Sequence, residues 1–453
     1  MAIAIRNPSL IWRPSLAYVG VAAVTAIAGL VSGVAADAPW LVALGRAIVN
    51  ARAIPDGVPF ATTTTHGWPN VPVLGELIFA GLHGALGDRG LQLAQMTACG
   101  LAFWLLARDA IAAKAGDRAT FACLIAAAFA ILTTLVTIRA QLFSLPLFAL
   151  LVLLLRADAR APSRRIWLVP AVLALWMNVH GAALTGAAVA VSYCIFSRLR
   201  AARRRETLGV LLALPLALCA NPALWRTPVY VLGVMQNAAA EARVGLWGQL
   251  SLSHTLDVIT IAVAAALLVA AVRTRPDLWE IIACLGLIGL TVQTSRGALW
   301  LVLFVLPRAA VGLRGPQLAR PKLAAPFLIA LLAVALGGLA RGPIEIGATA
   351  TMVTRAVNAA AGDPILAEDA LAEQVAAAGG FVVIGNPIDA FPKASQRQYL
   401  DWLGGKPAGD ALLAAANVAL VRPTGLAAKR LSRDREFRRV SKDVRGALFV
   451  RIR

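Results

Sequence analysis

Residues 119–155 read ATFACLIAAAFAILTTLVTIRAQLFSLPLFALLVLLL, and the one charge in that run is Arg139. A helix needs about 20 mostly apolar residues to cross a bilayer. The run is too long for one crossing and long enough for two. It breaks at Thr137-Ile138-Arg139-Ala140-Gln141, which predicts spans over 119–137 and 141–155 joined by a short turn that carries a lone guanidinium.

Further spans are predicted at 12–35, 91–113, 207–222, 254–272, 278–294, 297–313 and 323–340. Asn178, His180 and Gly181 interrupt the stretch 166–197, so two short helices are expected there, 166–177 and 180–197. Composition agrees. Of 453 residues, 59% are apolar or aromatic and 15% charged, against about 25% charged in a soluble domain. Mean hydropathy is +0.74. A soluble globular enzyme and a disordered chain are both excluded, and the fold class expected is an all-α polytopic membrane protein with about 11 transmembrane helices. Cys99, Cys123, Cys194, Cys219 and Cys284 lie in apolar stretches without metal-ligand spacing. No disulfide framework, metal site or cofactor is expected.

The net charge of +20 would suit nucleic acid or the basic loops of a membrane protein, and location decides. Basic clusters occur at Arg6/Arg13, Arg108/Lys114/Arg118, Arg156/Arg160/Arg164/Arg165, Arg198/Arg200/Arg203/Arg204/Arg205, Arg273/Arg275 and Arg308/Arg314/Arg320/Lys322. Every one falls on the cytoplasmic side if 71–87 lies flat at the interface instead of crossing. The expected topology is a multi-pass membrane protein with a cytoplasmic N-terminus and the C-terminus outside. A cleaved leader ending at Val34-Ala35-Ala36 is the other reading of the N-terminus.

This topology divides the chain into a transmembrane domain, 1–340, and an extracytoplasmic α/β domain, 341–453. The outer loop 36–90 carries two flat helices, 38–50 and 71–87, with Glu76 and His83 at the wet interface. In the C-terminal domain, strands are expected at Phe381–Gly385, Asn417–Val421 and Leu448–Ile452, and helices at 365–378, 407–416 and 425–437. Its basic tail, Lys429 to Arg453, suits anionic head groups or is an ordinary solvated face. No nucleic acid partner is expected.

Polar groups at membrane depth cost free energy unless paired or wet. Asp37, Arg139, Asn178, His180 and Arg296 all fall on the outer side, where two guanidinium groups suit a phosphate and one carboxylate suits a general base. Each also has a structural reading. Asp37 can cap the helix that starts near Pro39, the arginines can contact head groups, His180 can cap a carbonyl, and Glu76 can face solvent.

The same segments resemble bacterial multi-span proteins related to the GT-C glycosyltransferases, among them protein O-mannosyltransferases and the lipid A aminoarabinose transferase. The outer loop resembles theirs at Asp37-Ala38-Pro39-Trp40, Ile54-Pro55, Pro59-Phe60 and Thr65-His66-Gly67-Trp68. Arg139 to Ser144 is similar to their RPQLFS segment, and Trp176 to Gly181 to W-x-N-x-HG. Asn221-Pro222 and Trp225-Arg226 resemble their second large outer loop. The resemblance implies a GT-C-like fold and a polyprenyl-phosphate-linked sugar as donor. It further implies Asp37 as catalytic base, Arg139 and Arg296 on the phosphate, and Asn178, His180 and Glu76 on donor or acceptor.

The chain departs from these relatives at Pro39-Trp40-Leu41, where many have Trp-Trp-His, and between Arg139 and Ser144, where some have a second acid. The function that the resemblance implies is transfer of the sugar to a glycan, lipid or protein acceptor at the outer face of the bacterial inner (plasma) membrane. The alternative is a catalytically inactive relative that scaffolds an envelope polysaccharide or glycolipid assembly. A secondary transporter fits less well, because paired broken repeats are absent.

Overall fold

A computed structural model describes residues 15–35, 37–200, 203–313 and 324–452. Expectations resting on Arg6, Arg13, Ala36, Arg314, Arg320, Lys322 and Arg453 lie outside these residues. The first half of the chain forms α1 (Leu16–Val31), β1 (Gly33–Val34), α2 (Asp37–Ala51), α3 (Val73–Leu86), α4 (Asp88–Ala112), α5 (Asp117–Ala130), α6 (Leu132–Val136), β2 (Thr137–Ile138), α7 (Gln141–Arg160), α8 (Leu168–Val179) and α9 (Ala183–Phe196). There follow α10 (Arg204–Leu218), α11 (Thr227–Met235), α12 (Ala238–Glu241), α13 (Thr255–Val272), α14 (Leu278–Gln293), α15 (Arg296–Gly312), α16 (Ala324–Arg341) and β3 (Ile344–Glu345). The last part holds α17 (Ala350–Ala360), β4 (Ile365–Ala367), α18 (Ala370–Ala377), α19 (Lys393–Leu403), β5 (Val418–Val421), α20 (Leu426–Leu431), β6 (Phe437–Lys442) and β7 (Ala447–Arg451).

Each apolar stretch read as a span carries a helix. Among the described residues, α4, α7 and α13 are long and apolar enough to cross a membrane, while α1, α3, α14 and α16 are apolar but shorter. Helix length alone therefore supports fewer crossings than the eleven expected. The shortening has local causes: α5 stops at Ile131 before α6 resumes, and α8 ends at His180. α1 packs on α4, α5 and α16, α4 on α7, and α15 on α13 and α14. Phe148, Trp176 and Trp300 form an aromatic knot in this core, with ring centroids 5.3–6.1 Å apart.

A small parallel sheet, ordered β2-β1-β3, joins three distant segments. Gly33 pairs with both Thr137 and Ile344. A Cβ on Gly33 would stand 2.5 Å from the Ile344 carbonyl oxygen, so only glycine permits this approach. Gly33→Val is expected to cost about 1–3 kcal/mol as an overpacking change, read as a lower melting temperature by fluorescence-detected size exclusion.

The C-terminal sheet runs β4-β5-β7-β6, with β4 and β5 parallel and the other two pairs antiparallel. α17 and α18 pack on it. The outer loop is stitched to it: Thr62 and Thr63 donate backbone hydrogen bonds to the Val382 and Val383 carbonyls at 2.9 and 3.1 Å.

Several expectations are corrected. Residues 365–367 are a strand and not the start of a helix, because three consecutive buried apolar residues suit a strand as well as a helix turn. Residues 407–415 are 3₁₀ instead of α. The helix expected over 425–437 stops at Leu431, and Phe437–Lys442 is an edge strand whose charges hide its period. Phe381–Gly385 makes isolated bridges and no regular strand. α2, expected as a flat helix, packs between α3 and α18, and Trp40 enters the C-terminal core, its ring edge-on to Phe60 at 4.4 Å.

Two arginines of the basic clusters are buried ion-pair centres. Arg156 contacts Asp109 at 2.9 Å and Glu280 at 2.8 Å, and Arg198 pairs with Asp158 and Glu206. In the tail, Arg430, Arg445 and Arg451 pair with Asp410, Glu345 and Glu436. Arg438, Arg439 and Lys442 stay exposed along β6, where cations discourage pairing with another strand.

Candidate functional site

β1 and β2 run parallel with Gly33 opposite Thr137 and Val34 opposite Ile138. Asp37 and Arg139, which follow these strands closely, therefore leave the sheet at the same end. Arg296 opens α15. The charge of Asp37 acts on both arginines, and both arginines act on His180. The structure thus brings together four of the six residues read from the sequence. All four are half-buried.

The guanidinium groups are held but not neutralised. Arg139 Nη2 donates to Gln141 Oε1 at 2.6 Å. Arg296 lies over the Trp247 ring, 4.0 Å from its centroid. Among the described residues neither arginine pairs directly with a carboxylate, and the Nε of each is buried without a partner. Two neighbouring cations without a carboxylate partner suit an anion.

His180 ends α8 in an extended conformation. Its Nδ1 is 2.7 Å from Ser144 Oγ, which accepts a hydrogen bond from Trp176 Nε1 at 2.6 Å. This chain clamps the segment after Arg139 to the helix end at His180. A Cβ on Gly181 would come within 3.2 Å of the Tyr230 ring, so the glycine after His180 lets Tyr230 approach.

Asn178 does not join the cluster. Its amide donates to the Ala174 and Ala220 carbonyls at 2.8 and 2.6 Å, which braces the helix break. Glu76 is not at a wet interface either. It is 1% exposed and accepts from Asn70 Nδ2 at 2.8 Å. Burial pushes its carboxyl up to about 7, against the opposing Asn70 bond. The folded state then holds the proton more tightly than the unfolded chain, which ionises near 4.5. Stability from Glu76 is full below about pH 4.5 and drains away as pH rises through 7. Glu76→Gln should flatten the melting temperature between pH 5 and pH 8 and exceed the wild type at pH 8.

Several site residues escape sequence reading because they come from the C-terminal domain. Asn386 Nδ2 donates to Asp37 Oδ1 at 3.1 Å and to Glu373 Oε1 at 2.6 Å. Burial, then the Asp37 charge, hold the Glu373 carboxyl well above the usual carboxylate range. Trp68 Nε1 donates to Asp389 Oδ2 at 3.0 Å, and burial raises that carboxyl to about 6 while the Trp68 bond opposes it. The charges of Asp37, Asp389 and Arg296 also reach Tyr230. Asn386 and Asp389 flank a turn, Asn386-Pro387-Ile388-Asp389, whose only signal is its polarity.

No family model matches the chain, and no curated protein does. Among solved structures, a cryo-EM structure of the arabinofuranosyltransferase AftD from mycobacteria superposes with a TM-score of 0.57 at 17% identity. The match covers 96% of this chain and 41% of that protein, so the chain spans about two fifths of its length. The likeness shows the fold alone, and that fold is GT-C-like.

Proposed function

We propose that the chain is a membrane glycosyltransferase that takes a sugar from a polyprenyl-phosphate donor and passes it to an envelope acceptor at the outer face of the inner membrane. In this reading about eleven helices embed residues 1–340, the basic clusters face the cytoplasm, and residues 341–453 lie in the periplasm. The observation that carries it is that Arg139 and Arg296 stand near Asp37, with neither cation paired to a carboxylate among the described residues. Asp37 takes the proton of the acceptor hydroxyl. The acceptor oxygen attacks the anomeric carbon, the bond to phosphate breaks with inversion, and the two arginines stabilise the departing phosphate. His180 and the acids of the C-terminal domain shape the rest of the opening.

The test compares envelope glycans and lipid-linked sugars in a deletion strain expressing wild type or Arg139→Ala. The variant should lack the transferred sugar and accumulate its donor. A wild-type profile would remove the proposal. One observation favours a second reading, an inert scaffold: Asn386 occupies one Asp37 oxygen, a bond that a structural acid would also make. Under that reading an Asp37→Asn allele fully rescues the deletion.

A further inference from the structure

A second basic site lies at the other end of the helices. α7 runs from the turn of Arg139 to Arg160, which places Arg156 and Arg160 about 25–30 Å away at 1.5 Å per residue. Here a half-open cavity of about 290 Å³ is lined by Lys114, Arg156, Arg160, Asp277, Trp279 and Arg308. Four cations meet there. Three carboxylates answer them: Asp109 and Glu280 behind the wall and Asp277 at the rim. One positive charge is left over.

The cations are not equivalent. Arg156 is fully engaged, its Nε on Glu280, Nη1 on Asp109 and Nη2 on the Phe304 carbonyl at 2.8–2.9 Å. Arg308 is turned to Glu280, with Asp277 at 3.6 Å. Arg160 is 40% exposed with one long contact to Asp109, 3.3 Å. Lys114 is exposed and makes no ion pair among the described residues. Donors of Arg160 and Lys114 are therefore free to meet a ligand.

Lys114 also stands where glycine is the usual occupant. It follows the end of α4 with φ +65, and its N–H and that of Ala115 close back on Ile111 and Ala110. A side chain in that left-handed position costs about 1–2 kcal/mol, which glycine escapes.

We propose that this cavity binds a phosphate anion, supplied by the head group of an acidic phospholipid, with Lys114 and Arg160 as its contacts. Arg156 and Arg308 form the fixed cationic wall. Ala113, Ala159 and Trp279 give the apolar side against which the glycerol of a lipid rests. Basic pockets between membrane helices take head groups of this kind. The site is independent of sugar transfer.

The test uses the full chain in neutral detergent, with melting temperature read during titration of phosphatidylglycerol, phosphatidylcholine or inorganic phosphate. Phosphatidylglycerol should raise the wild-type melting temperature and phosphatidylcholine should not. Lys114→Gly with Arg160→Gln should need at least tenfold more phosphatidylglycerol for half the effect. Lys114→Gly alone should melt no lower than wild type without lipid, since glycine relaxes the backbone, yet respond more weakly to the acidic lipid. That separates lost binding from lost folding. An equal rise with inorganic phosphate keeps the site and assigns free phosphate as its occupant. Equal stabilisation by phosphatidylcholine, or a wild-type response from the double variant, overturns the proposal.

Discussion

Asp37→Asn is expected to lower sugar transfer about 10²- to 10⁴-fold, the range for losing a general base, with little change in folding. The substitution is isosteric. The new amide oxygen still accepts from Asn386 Nδ2, which now donates to Asp37 Oδ1 at 3.1 Å, so the link between α2 and the C-terminal domain survives. What disappears is the proton acceptor beside two cations. The measurement is the envelope-glycan profile of a strain carrying only the variant, beside the melting temperature of the purified protein. A normal melting temperature with missing sugar assigns Asp37 to the chemistry. A normal profile removes Asp37 as base and, if the deletion itself has a phenotype, turns the reading to the scaffold. Loss of both would blame folding, and the Arg139→Ala comparison would then carry the test.

How far this site could be read from the chain depended on what surrounds each residue in sequence. Arg139 is legible because nothing else in 119–155 is charged, so its cost in an apolar setting demands a reason. Asp37, His180 and Arg296 stand out on the same ground. Glu373, Asn386 and Asp389 do not, since a carboxylate in a mixed α/β domain is cheap until the fold buries it. Their role is set by the Asn386 bridge and the Trp68 bond, which join segments with no sequence relation. Glu76 departs from the wet position expected of it for a related reason. The hydropathy around it is the same whether its helix faces head groups or lies beneath another helix, and here α2 covers it. Asn178 shares a motif with His180, yet the helix break turns its amide to the Ala220 carbonyl, and spacing alone cannot give that direction.

The basic clusters teach the complementary lesson, and they lead to the largest expected effect on stability. Counting Lys and Arg cannot tell a solvated arginine from one that holds the core, because the partners lie on other helices. Arg156 is 4% exposed and joins Asp109 on α4, Glu280 on α14 and the Phe304 carbonyl on α15. Arg156→Met would remove the cation between two buried carboxylates, leaving Asp109 with the 3.3 Å contact of the half-exposed Arg160 and Glu280 with Arg308 at the rim. Breaking a buried pair from one side costs about 3–5 kcal/mol, a large part of the ~5–15 kcal/mol that holds a typical domain folded. The folded, monodisperse fraction on size exclusion should collapse. Arg156→Lys should recover little, since an ammonium cannot bridge three acceptors in a plane as the guanidinium does. Adding Asp109→Asn and Glu280→Gln to Arg156→Met should restore much of the fraction, because the stranded charges are then gone. Full recovery by lysine would show that charge alone is needed there. A normal Arg156→Met would mean that Arg160 and Arg308, already in contact with the same carboxylates, suffice to hold them.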